Sequence, residues 1–286
     1  MMALDQRVFD PVWSSIEPLL PPPPVDMHPL GCHRPRVADK QCLWGIVVRL
    51  VTGCSWVVAG RLVGVGATTL RRRRTLWLRA GVFDQLATDA LAAYDRIIGL
   101  DPSEILIDTS LHKAPMGGSG SGPSRVDRAK LGWKCSLCTD ATGTPLAWLP
   151  AAANVHDQKL VDDTLDALDA RGYEIEVQRA DLDRGYDSEA VRALFTETGI
   201  QAHIDRRAKP GPFRRKNRTR PNNPIKLGRR WPIERTNSWL SNYGQLRRST
   251  DRHIIHREAA LDLAVALTLT AQLVTWNRRH GATIYT

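Results

Sequence analysis

Ile105-Leu106-Ile107-Asp108 decides how this chain reads: three apolar residues in a row, then an acid. A short uninterrupted apolar run is the pattern of a strand buried on both faces, and on this reading Asp108 ends it. Downstream, residues 133–139 and 144–149 form a predicted hairpin around Ala141-Thr142-Gly143. A helix follows over 156–171, with Leu160, Val161, Thr164, Leu165 and Leu168 on one stripe. A strand over 175–182 then delivers a second acid, Asp183, just ahead of Gly185-Tyr186-Asp187, and helix 188–198 and strand 200–204 come next. Hairpin strands followed by alternating helix and strand predict an α/β fold, a mixed sheet flanked by helices. Residues 117–124, Gly-Gly-Ser-Gly-Ser-Gly-Pro-Ser, have the composition of a flexible loop.

Upstream the pattern is helical. Leu43, Trp44, Ile46, Val47, Leu50 and Val51 recur at helical spacing over 38–52, and Gly53 closes that helix. A short element over 55–62, the Gly64-Val65-Gly66 turn and a helix opened by Thr68 and Thr69 complete a helix-turn-helix-like outline. Its last helix carries Arg71, Arg72, Arg73 and Arg74, residue types suited to gripping phosphate. The change of pattern near 99–103 divides an N-terminal all-α domain, 1–98, from a second domain, 99–286. A last helix over 256–278 packs or oligomerises. Its uncharged stretch between Asp262 and Arg278 is shorter than the roughly 18 residues a spanning helix needs, so a core helix, and no membrane, is expected.

Lys and Arg number 40 against 30 Asp and Glu, a net charge of +10, which favours a polyanionic partner. The bland alternative is solvated surface, and clustering argues against it. From 206 to 230 there are eleven Lys or Arg, four prolines and no acid, an extended basic segment that includes Arg214, Arg215, Lys216, Arg218, Arg220 and Arg230. The five cysteines are odd in number and scattered, which argues for a reducing compartment. With no export signal at the N-terminus, the expected location is the cytoplasm, at the nucleoid. Cys135-Ser-Leu-Cys138 is half a zinc site without a second pair. His112 and Lys113 lean towards phosphate contact, and Trp231, beside arginines, is the best candidate for base stacking.

Asp108, Asp183 and Glu234 come from separate elements, two from strand ends and one from the helix that opens at Trp231-Pro232. Each alone reads as a cap or turn residue. Together, beside a cationic segment, they are the hard oxygen donors that Mg²⁺ prefers, with Mn²⁺ as a substitute. Two such ions roughly 3.5–4 Å apart activate an attacking oxygen and stabilise a leaving one in phosphoryl transfer. Asp181 competes with Asp183, since residues two apart on a strand face the same way. No Gly-x-x-x-x-Gly-Lys-Ser/Thr loop is present, so no nucleotide cofactor is expected.

Four stretches carry a family likeness: Asp108-Thr-Ser-Leu-His-Lys-Ala-Pro, residues 122–134, Leu182-Asp-Arg-Gly-Tyr-Asp187 and Arg230-Trp-Pro-Ile-Glu-Arg-Thr-Asn-Ser-Trp-Leu240. In this order they resemble the DDE transposases of bacterial insertion sequences (IS-five/IS-four type group), which have an RNase H-like catalytic core. The N-terminal part also looks like the helical DNA-binding domain found there. The resemblance implies that Asp108, Asp183 and Glu234 bind the metal ions. It also implies double-stranded DNA as partner, both element terminal inverted repeats and target, and a homo-oligomer, dimer or larger. Arg230 matches the family's Arg-x-x-x-Glu spacing. Leu227 stands where relatives often have tyrosine, and the basic residue expected past Glu234 has no clear counterpart, leaving Arg247 and Arg248 as substitutes. The expected function is metal-dependent strand cleavage and transfer. The alternatives are a catalytically inactive DNA-binding protein and a nuclease that never rejoins its products.

Overall fold

In the computed structural model, which describes residues 2–23, 35–204 and 230–281, the first strand does not stop at Asp108. β1 (Glu104–Lys113) pairs antiparallel with β3 (Leu131–Asp140) along its length, from Ile105↔Asp140 to Lys113↔Gly132. Its other neighbour, the parallel β5 (Arg179–Leu182), pairs only as far as Ile107↔Leu182. The apolar triplet therefore marks the part of β1 with a strand on each side. Asp108 is the first residue beyond the end of β5, in a notch at the sheet's edge.

β2 (Gly122–Pro123) and β4 (Pro145–Ala152) both pair with β3, and β6 (Gln201–Ile204) runs parallel to β5. Antiparallel strands on one side of β1 and parallel ones on the other make the mixed sheet that was expected. Helices cover both faces. Ser136 of β3 bonds Thr164 of α6 (Leu160–Asp169) at 2.7 Å. Trp148, cross-strand partner of the next residue Leu137, donates instead to Asp262 of the long C-terminal helix at 2.8 Å. The α6 stripe is buried at the five positions read from the sequence. The strand predicted over 175–182 is shorter: 174–176 is a single turn with Ile175 93% exposed, an apolar residue that extended the pattern without a ladder to join. α7 (Glu189–Glu197) fills the crossover between β5 and β6.

The N-terminal half holds two helices that the sequence reading passed over. α1 (Gln6–Ile16) is capped by Asp5 and buries Val8, Phe9, Val12 and Ile16. α5 (Val82–Ile98) buries Phe83, Leu86 and Leu91 and packs along α10 (Ile254–His280). α2 (Asp39–Thr52), α3 (Trp56–Val63) and α4 (Ala67–Arg79) contact one another as the expected helix-turn-helix-like unit. α4 opens at Gly66, without a threonine cap. α8 (Trp231–Ser241) and the short α9 (Gly244–Arg247) lead to α10. α10 has 27 residues, more than its uncharged stretch suggested, and is long and apolar enough to cross a membrane. Yet 72% of its most apolar window is buried against α1, α5 and β4, as befits a core helix. Residues 117–122 are not free either: buried Arg257 of α10 ties down the carbonyls of Gly117 and Ser119. The loop-like composition serves close packing there, not freedom.

Burial pushes the Asp262 carboxyl up to about 7, against the opposing hydrogen bond from Trp148. Its folded value lies above the unfolded value of about 3.9, so the proton is held more tightly in the fold. The associated stability is full below about pH 4 and is lost as pH rises through about 7. Asp262→Asn keeps an acceptor for Trp148 without the charge. It is expected to gain about 2–4 kcal/mol over the parent at pH 8 and little at pH 4. Urea unfolding at the two pH values checks this, and an equal difference at both would contradict it.

Candidate active site

α8 reaches the notch because its second turn is bolted to the β3–β4 hairpin. Thr236 Oγ1 donates to the Gly143 carbonyl at 2.6 Å and Arg235 Nη2 to the Thr142 carbonyl at 2.5 Å. This brings Arg230, the residue before α8, between two carboxylates. Its Nη2 lies 2.9 Å from Asp108 Oδ1 and its Nη1 3.7 Å from Asp183 Oδ2. Asn237, two turns along, donates from Nδ2 to Asp108 Oδ2 at 3.0 Å. Burial pushes the Asp108 carboxyl above its ordinary range, outweighing the pull of Arg230.

Asp183 stands past the end of β5 and caps the Arg184–Tyr186 turn, accepting from the Gly185 N–H. A Cβ at Gly185 would come 2.5 Å from Asp183 Oδ1, so a larger residue there would make this carboxylate shift. Gln158 Nε2 steadies the turn through the Gly185 carbonyl at 2.9 Å. Asp181, the competing acid, is buried against Arg179 at 3.2 Å and His203 at 2.7 Å, on the β6 side. The two-residue alternation does not govern this choice, because Asp183 has already left the strand.

Asp108, Asp183 and Arg230 thus come together, and Asn237 joins them. Glu234 is exposed, four residues after Arg230 and three before Asn237, on their stripe of α8. Among the described residues no three His, Cys, Asp or Glu side chains converge closely enough to hold one ion. Asn237 was missed by the sequence reading, although its spacing of three from Glu234 on a helix was the available signal.

The arginines of α4 divide. Arg71 and Arg72 are exposed. Arg73 is buried, paired with Asp39 at 2.6 Å, and Arg74 is buried, paired with Asp251 at 2.8 Å. These two correct the expectation of four phosphate contacts: the helix turns every residue by about 100°, so four in a row cannot share a face. Arg247, Arg248 and Lys113 are exposed, with Lys113 and Arg248 joined by a backbone bridge. Arg214, Arg215, Lys216, Arg218 and Arg220 lie outside the described residues. His112 does not meet phosphate: it is buried, stacked on Trp133 at 4.8 Å, and burial pulls its imidazole down to about 4. Cys135 and Cys138 are free and buried, the Cys135 thiol pushed up to about 12, which makes them packing residues. Trp231 is 39% exposed, with Arg235 over its ring at 4.8 Å.

A hard divalent cation suits this donor set. Two carboxylates face a shared positive group, which arginine supplies in the structure, and the buried Asn237 Oδ1 has no partner among the described residues.

The family model described as a transposase DDE domain matches residues 99–269, and one described as a putative transposase of the IS4/5 family matches 8–87. A putative transposase for insertion sequence element IS402 of Burkholderia cepacia is 34% identical over 168 residues, 57% of this chain and 71% of that protein. An uncharacterized 16.2 kDa protein of the same element is 36% identical over 117 residues, 40% of this chain and 78% of its own length. Among solved structures, a pre-cleavage Mos1 transpososome matches with a TM-score of 0.26 and 8% identity over 85% of this chain and 81% of that one. A Mos1 mariner paired end complex with Mn matches with a TM-score of 0.26 and 10% identity over 87% and 82%. Likenesses that slight carry no argument.

Proposed function

The chain belongs to the transposases with a DDE domain, and from that premise we propose that Asp108, Asp183 and Glu234 hold the metal ions that cut and rejoin the ends of an insertion sequence. The observation that carries the assignment is the Asp108–Arg230–Asp183 bridge at the sheet notch. Two carboxylates side by side repel unless a cation lies between them. When bound, divalent ions, Mg²⁺ with Mn²⁺ as substitute, supply Lewis acidity to the attacking and leaving oxygens.

The chain's own residues do the rest. Asp108 fixes the site on a rigid sheet, Asn237 holds Asp108 in orientation, and the Gly185 N–H holds Asp183 in the turn just past β5. Arg230, released from the carboxylates, turns to a DNA phosphate as a bidentate donor. Glu234 closes the site from α8. Double-stranded DNA, element ends and target alike, is the substrate. Arg71 and Arg72 on α4 and Arg247 and Arg248 after α9 contact its backbone, and the basic segment 206–230 adds to them. Two ends must meet, so the working form is a dimer or larger, in the cytoplasm at the nucleoid.

The test is cleavage and joining of labelled DNA carrying the gene's own flanks. Joined product is expected with Mg²⁺ or Mn²⁺ and none with chelator. If 6–10 cations meet phosphate, binding is expected to weaken by roughly 10³–10⁵ between about 50 and 200 mM salt. A salt-independent affinity, or binding without cleavage under either metal, counts against the reading.

A further inference from the structure

We propose that the hairpin formed by β2 and the start of β3, residues 122–132, is a preformed finger for duplex DNA. In it Val126 presses as a wedge on the base pairs, while Arg125, Arg128 and Lys130 hold phosphates. The proposal rests on the transposase reading and adds a contact surface away from the catalytic notch.

The finger is built stiff. Its stem pairs Gly122↔Gly132 and Pro123↔Leu131. Its tip is closed by the Ser124 N–H on the Lys130 carbonyl at 2.8 Å and the Ala129 N–H on the Ser124 carbonyl at 2.9 Å. The root is held by Arg257, 1% exposed, which donates to the Gly117 carbonyl at 2.9 Å and to that of Ser119. Ser119 N–H in turn donates to the Arg252 carbonyl at 2.8 Å. A Cβ on Gly118 would fall 1.9 Å from that carbonyl oxygen, so the glycine there permits contact with the backbone before α10.

The tip is strained and carries the wrong residues for an idle turn. Arg128 and Ala129 sit at φ 51° and 57°, left-handed backbone that glycine or asparagine adopts with less strain. Arginine and alanine at such positions persist only when the surroundings hold them there. What the strain presents is an apolar side chain, Val126, 83% exposed, between exposed cations. Asp127 is the one acid of the tip, 3.9 Å from Lys130. Apolar wedges flanked by cations are how proteins lever base steps apart and bend a duplex. A second copy of this chain is the poorer occupant, because in a twofold contact Arg125, Arg128 and Lys130 would face their own counterparts.

Placement agrees. Lys113, at the end of β1, pairs with Gly132 at the finger's root and is bridged to Arg248. It lies five residues beyond Asp108, about 17 Å along the strand. At about 3.4 Å per base pair, a duplex engaged at the notch reaches the finger some five base pairs from the scissile phosphate.

The experiment uses the full chain, the triple variant Arg125→Gln, Arg128→Gln, Lys130→Gln, and Val126→Ser, on a duplex from the gene's flank and an unrelated duplex of equal length. For the triple variant, the slope of log affinity against log salt is expected to fall by about 2.7, or 0.9 per lost phosphate contact. Between about 50 and 200 mM salt that is a roughly 40-fold smaller loss of affinity. Val126→Ser is expected to keep the slope and lose DNA bending, read by energy transfer between end labels. Loss on the flank alone places the finger on the element end, and loss on both places it on any duplex. An unchanged slope in a triple variant that melts like the parent, with the parent binding DNA, overturns the finger alone. So does dispersal of an oligomer by Val126→Asp with DNA binding intact, which would make the finger a protein interface. A parent that binds neither duplex overturns the transposase reading itself.

Discussion

Asp108→Asn is expected to lower strand joining on the order of 10³-fold while leaving DNA binding equal or tighter. The two effects separate because they have different physical origins. Joining needs the full negative charge of the carboxylate, since hard cations hold to charged oxygen far better than to an amide, and their stabilisation of the transition state is worth several kcal/mol. Each 1.36 kcal/mol is a factor of ten in rate, which sets the expected size. Binding depends instead on cations meeting phosphates, and removing an acid from the notch relieves repulsion there. Asp183→Asn and Glu234→Gln are expected to fall as far, and the double variant Asp108→Asn, Asp183→Asn no further, because the acids act as one unit. Single-turnover joining at saturating protein measures the loss without confusing it with affinity. An Asp108→Asn protein that joins within tenfold of the parent would remove Asp108 from the chemistry.

The sheet was legible because its signals are local. Ile105-Leu106-Ile107 is apolar because both faces of the sheet are covered there, and the α6 stripe shows its period in every turn. What the pattern did not show was where each ladder ends. β1 continues past Asp108 because β3 accompanies it, a long-range pairing that burial on a single face marks only weakly. α1 and α5 were passed over for a related reason: Pro11 interrupts the first, and the second is recognised by what α10 covers. Residues 117–124 show the reverse error. Glycine allows either freedom or close approach, and only the position of Arg257 and Arg252 tells which.

At the candidate site, order and spacing pointed to Asp108, Asp183 and Glu234 but not to how Asp108 and Asp183 stand about Arg230. That Arg230 lies between Asp108 and Asp183 follows from how α8 docks on the β3–β4 turn through Thr236, a contact 93 residues apart in sequence. Asn237 could be placed on the α8 stripe of Glu234 from its spacing, but its bond to Asp108 could not be read from sequence. The split of the α4 arginines needed the positions of Asp39 and Asp251, one beside the helix and one near the far end of the chain.

Asp251→Ala is expected to destabilise the fold by about 3–5 kcal/mol, a large share of the roughly 5–15 kcal/mol a domain possesses. Asp251 is 6% exposed and takes Arg49 at 3.3 Å, Arg74 at 2.8 Å and the Gln245 amide at 2.9 Å. Burial alone would raise its carboxyl, but the two guanidiniums outweigh this and hold it below the ordinary range. Trp56 supplies a ring to both, at 4.2 Å from Arg49 and 4.8 Å from Arg74. Without the carboxylate, two like charges remain buried on α2 and α4 with no counter-ion, and arginine does not escape by losing its proton. Replacing all three by Met, Met and Leu at 49, 74 and 251 is expected to recover most of the loss, since a buried triad exceeds an apolar one in specificity more than in stability. Urea unfolding followed by tryptophan fluorescence compares the variants. A loss under about 1 kcal/mol for Asp251→Ala would mean that water reaches the guanidiniums and the cluster holds nothing. The cluster also joins the helix-turn-helix-like unit to the segment after Arg247 and Arg248. A protein weakened there is therefore expected to lose joining more than it loses DNA binding, as the helices proposed to grip DNA uncouple from the sheet that carries Asp108.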